Sequence, residues 1–80
     1  MAKETLVEQL KKEAIYAQKS LSQDLLYEVY GKAKMAYQLE AISKDDFLEI
    51  NHMTVYFINT HARELELVRR GEEPAGYHNT

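Results

Sequence analysis

The 80-residue chain has no cysteine, no tryptophan, one proline and three glycines. Without cysteine there is no disulfide framework, no thiolate zinc site and no cysteine nucleophile. No apolar run is longer than the four residues Val55 to Ile58, whereas a membrane span needs roughly 20. The segment MAKETLVEQLKKE scatters charges through the first residues, which predicts no secretory signal and a cytoplasmic location. No glycine-rich stretch is present to cradle a phosphate.

Charge of one sign is also scarce. Lys and Arg number 10 against 13 Asp and Glu, for a net charge of −3. Nucleic-acid binders draw most of their affinity from phosphate neutralisation and show a basic face. The densest basic groups here are Lys11 and Lys12, Lys32 and Lys34, and Arg69 and Arg70. These six residues carry the alternative reading, an accessory nucleic-acid-binding protein, which the acidic balance disfavours.

What is present is an ordinary globular composition, 45% apolar and 29% charged, too apolar for a disordered chain. The length suits one domain. A chain of this size buries only roughly 60% of its unfolded surface, which leaves little core from which to excavate a catalytic cleft. The sequence predicts an all-α fold: a small three-helix bundle over residues 1–71 with a long third helix, followed by a flexible tail at 72–80.

The first helix is predicted from about Glu4 to Gln18, because Leu6, Val7, Leu10, Ala14 and Ala17 recur at three- and four-residue steps. Ser20 with Gln23 reads as a capping box opening a second helix, whose stripe is Leu25, Leu26, Val29, Tyr30, Ala33, Ala36 and Tyr37. No glycine or proline separates the two, so one bent helix from about 4 to 41 is the alternative. Ser43 is the clearest helix start. Asp45 and Asp46 follow in the first turn, where acids oppose the positive end of the helix dipole. Ile42 and Phe47 flank it as a hydrophobic staple.

The third helix is predicted from Lys44 to Arg70, with Gly71 and Pro74 as stop signals. Residues 54–60 favour strand by composition, but a strand there would have no partner, so the segment is read as helix. At 1.5 Å per residue this helix would be roughly 40 Å long. A compact globule of this length is roughly 30 Å across, so the end bearing Leu65, Leu67 and Val68 should overhang the core. An exposed apolar strip seeks a partner, and a two-fold contact with a second copy buries it economically. The predicted interaction surface is therefore Phe57, Ile58, His61, Leu65 and Val68. The partner is expected to be a second copy or another protein.

Catalytic and metal chemistry find no constellation. His52 and His61 lie nine positions apart, on opposite sides of a helix, and cannot share a metal ion; no cofactor is expected. Ser20, Ser22 and Ser43 are explained as helix caps. Asp45, Asp46 and Glu49 would oppose phosphates if the third helix were a DNA-recognition helix. Gly31, in mid-helix, points to a close helix approach or a kink. The expected function is a small, non-enzymatic interaction or regulatory module working through a helical apolar surface. Its style suits a small open reading frame of a bacterium, phage or plasmid.

Overall fold

A computed structural model describes residues 5–71, and the predicted tail at 72–80 lies outside the described residues. The fold is all-α, in the order α1 (Leu6–Lys19), α2 (Gln23–Gln38), α3 (Lys44–Asn51), a π-helical segment (His52–Tyr56), α4 (Phe57–Thr60) and α5 (Ala62–Arg69). Among the described residues no helix is long and apolar enough to cross a membrane.

Helix α1 begins with a reciprocal cap. Thr5 Oγ1 accepts from the Glu8 amide at 3.1 Å, and Glu8 Oε1 accepts from the Thr5 amide at 2.8 Å. The pattern Thr-x-x-Glu is a capping box, and it starts α1 at Leu6, two residues later than the predicted start at about Glu4. The corner after α1 shifts the second predicted cap. Ser20 closes α1, and Ser22 opens α2 by accepting from the Leu25 amide. Between them Leu21 adopts φ 50°, with its amide on Gln18 O and the Ser22 amide on Ala17 O. These two bonds define a Schellman turn, which usually places glycine in the left-handed position. Leu21 occupies it because its side chain is buried against Ala17, Leu26, Ile58 and Leu65.

The corner after α2 repeats the device. Glu40 sits at φ 61°, with Glu40 N–H on Tyr37 O and Ala41 N–H on Ala36 O. Ser43 then caps α3 through the Asp46 amide at 3.1 Å. Ile42 is buried, and Phe47 packs against the same cluster, as the staple requires.

Helices α1 and α2 form an antiparallel hairpin whose facing positions are small: Ala14, Ala17, Ala33 and Ala36 are all buried. The run of α3 and the π segment lies across both. The molecule measures 40 × 28 × 17 Å, and its thinnest direction holds no more than two helices at the usual packing distance of 8–10 Å. Its interior is accordingly split. One cluster gathers Leu10, Ala14, Val29, Ala33, Ala36, Ile42 and Ile50. The other gathers Ala17, Leu21, Leu26, Ile58 and Leu65.

The uninterrupted third helix is not what forms. Two departures occur in the strand-prone stretch. The backbone widens into the π segment at His52–Tyr56, where the buried Thr54 hydroxyl donates to Ile50 O at 2.8 Å. Such bonds to preceding carbonyls compete with the helical ladder. The helix then breaks at His61, which takes φ −119°, ψ 27°. Just before the break, Thr60 Oγ1 lies 3.1 Å from both Tyr56 O and Phe57 O. Past it, α5 packs Leu65 and Val68 against Leu21 and Leu26 at the α1–α2 corner, and Arg70 and Gly71 (φ 83°) terminate it.

Candidate interaction surface

The break at His61 decides the fate of the predicted surface. Of Phe57, Ile58, His61, Leu65 and Val68, Ile58 and Leu65 are buried and the other three are half-buried. Leu65 is 1% exposed and Ile58 6%, and both sit on Ala17, Leu21 and Leu26, with Phe57 and Val68 packed against the same cluster. His61 is half-buried. Its ring stacks on Phe57 at 4.1 Å between centroids, and Nδ1 lies 3.2 Å from Phe57 O and 3.0 Å from Thr60 Oγ1. These contacts occupy Nδ1 of His61 within its own turn of helix. The strip that was to seek a partner is covered by its own chain.

Exposed apolar residues gather elsewhere, on the outer seam of the α1–α2 hairpin. Leu6, Met35 and Leu39 are exposed there, Leu39 at 71%. With Gln9, Leu10, Glu13, Gly31, Lys32, Ala36 and Ala41 they line an open groove of about 610 Å³. On α2, Gly31, Met35 and Leu39 recur at four-residue steps and so lie in one row beside the core stripe. That row is legible in the sequence, but it is hidden there by the stronger stripe of Val29, Ala33 and Ala36. Gly31 is the notch in it: a Cβ built at Gly31 would meet no atom within 4 Å. Among the described residues no other helix approaches it, and α2 continues unbroken past it.

The groove is rimmed by charge. Lys32 Nζ lies 3.0 Å from Glu13 and 3.6 Å from Glu28, and the Glu13 hydrogen bond, followed by its charge, raises the lysine pKa above its ordinary value. The other predicted basic groups are dispersed. Lys11 pairs with Glu49 across to α3 at 2.9 Å, and Arg69 pairs with Glu66 within α5 at 2.9 Å. Lys34 is exposed on α2, and Lys12 and Arg70 each interact with neighbours. Three of the six cations of the nucleic-acid alternative are thus held by carboxylates.

Among the described residues no three His, Asp or Glu side chains converge as a metal site. Every buried polar side-chain atom there has a hydrogen-bond partner. Tyr16 and Tyr27 are exposed, at 65% and 49%, and so is Tyr56. Tyr30 and Tyr37 flank Phe47, with the Tyr37 ring stacked on it at 5.0 Å. Compared with protein-family models, curated proteins and solved structures, the chain matches none.

Proposed function

We propose that this chain is a small, non-enzymatic protein-interaction module of the cytoplasm that associates with a second copy through the α1–α2 seam. The observation that carries the reading is Gly31. A glycine in mid-helix is about 1 kcal/mol less favourable than alanine, and here neither a turn, a positive φ nor a neighbouring helix of the same chain requires it. Close approach by a second copy would give it a use. The same row of α2 supplies the matching projections, Met35 and Leu39. In a two-fold contact the projections of one copy meet the notch of the other, because each patch faces itself.

The test is the absolute mass in solution at several protein concentrations, for the natural chain and for two variants. Met35→Asp with Leu39→Asp is expected to yield a monomer with unchanged helicity. Gly31→Ala is expected to raise the thermal midpoint of the monomer and to weaken association. A natural chain that stays monomeric at every concentration, or a Gly31→Ala chain that associates equally well, refutes the seam.

A further inference from the structure

We propose that α5 is an exchangeable element: the pocket that holds it in one copy also accepts α5 of a second copy, giving an interlocked dimer distinct from association at the seam. The occupant is fixed by identity, since the pocket formed by Ala17, Leu21, Leu26 and Ile58 already seats Leu65 of its own chain.

Three features make the exchange accessible. The connection between α4 and α5 is the single residue His61, which interrupts the helical ladder at φ −119°, ψ 27°. Rotations of roughly 60–70° in each angle bring it to helical values, and α4 and α5 then form one straight helix. No glycine or proline opposes this, and the sequence from Phe57 to Arg69 is periodic as an uninterrupted helix. Second, α5 is held to the body by apolar contact, through Leu65 and Val68, while Arg69 bonds Glu66 inside α5 itself. Release therefore breaks an apolar contact that a second copy restores in full. Third, straightening restores the helical ladder across residue 61, which the folded-back form interrupts. Short hinges between elements are the usual route to swapped dimers.

The straight form also recovers the overhanging helix that the length of the sequence implies. Leu65 and Val68 then reach across to the partner's Leu21 and Leu26 instead of their own. The concentration at which the chain folds selects between the forms, because closing on itself is a first-order step and exchange is second-order.

The experiment uses the full chain carrying Met35→Asp and Leu39→Asp, so that seam association is absent, and starts by refolding it at high concentration. A dimer that persists after dilution is expected, unlike a seam dimer in rapid equilibrium. His61→Ala favours the straight helix and His61→Gly disfavours it, so the dimer fraction should be at least about fivefold larger in the alanine variant. Asp24 and Arg69 are exposed and line the same α2–α5 cleft, and the chain has no cysteine. In the dimer fraction of an Asp24→Cys, Arg69→Cys chain, a short bis-maleimide should link two chains. In the monomer fraction it should close within one chain. Absence of a persistent dimer in all three hinge forms, equal fractions for alanine and glycine, or only intrachain links in the dimer overturns the proposal. The seam reading is tested separately by Gly31→Ala and stands or falls on its own result.

Discussion

The side chain of Gln18 donates from Nε2 to the backbone carbonyl of Met53 at 2.8 Å, tying the end of α1 to the π segment. The bond crosses 35 residues of sequence and lands where the helix is widest. It is a tether between two elements that pack mainly through small and apolar side chains. Replacing Gln18 by Ala should lower stability by about 1 kcal/mol, the net worth of one partly buried hydrogen bond. Denaturant unfolding measures the loss. Amide exchange should show it concentrated in residues 52–56, and an evenly distributed loss would count against the tether.

The two left-handed corners separate backbone strain from side-chain burial. Glu40 is exposed, so its replacement by Gly relieves the left-handed strain without loss of buried surface, against a smaller gain in unfolded-chain entropy. A gain of about 1 kcal/mol is expected. Leu21 has the same backbone geometry but is 6% exposed. Leu21→Gly should therefore be destabilising by about 2 kcal/mol or more, because the cavity outweighs the relieved strain. Thermal midpoints of the two variants should move in opposite directions.

Leu65 is the anchor of α5. Its truncation to Ala should cost about 2–4 kcal/mol, a large share of the stability of a domain this small. Hydrogen exchange should register the change first in residues 62–69. A charged pair at Leu65 and Val68 would destabilise the fold as well as any contact made by that helix, so it is no clean probe of association.

The capping box gives a pH dependence of known sign. The Thr5 backbone amide, and then the Thr5 side chain, hold the Glu8 carboxyl below its ordinary pKa. A depressed folded-state pKa contributes stability that is present above the unfolded value and lost as pH falls through the folded one. Glu8→Gln should thus lower the thermal midpoint at neutral pH, with the difference shrinking below the ordinary glutamate range. Thr5→Ala, which removes the other half of the box, should cost about 1 kcal/mol.

The helical class, the cap at Ser43, the staple of Ile42 on Phe47 and the stop at Gly71 are written in local residue chemistry, and the structure has all of them. What escaped local reading was decided by tertiary contact. The left-handed turn at Leu21 has no glycine to announce it, since a buried leucine side chain holds the conformation in place. The break at His61 has no proline or glycine either. It accompanies the burial of Leu65 and the packing of Val68 against the α1–α2 corner, a quantity that no stretch of sequence displays. The seam was missed for a different reason: its row of Gly31, Met35 and Leu39 runs beside a stronger core stripe on the same helix.

The π segment has a consequence for the counting of residues. Eight residues of regular α-helix rotate about 80° beyond two full turns, which would carry Ile58 away from the side that Ile50 presents. The wider turn absorbs about one residue and brings both isoleucines, with Thr54 between them, into the interior. The chain thus carries one residue more than its helical face uses. Deletion of a single residue at Val55 should leave an ordinary helix with its face in register, whereas the same deletion in the middle of α1 or α2 would turn half of a core stripe outward.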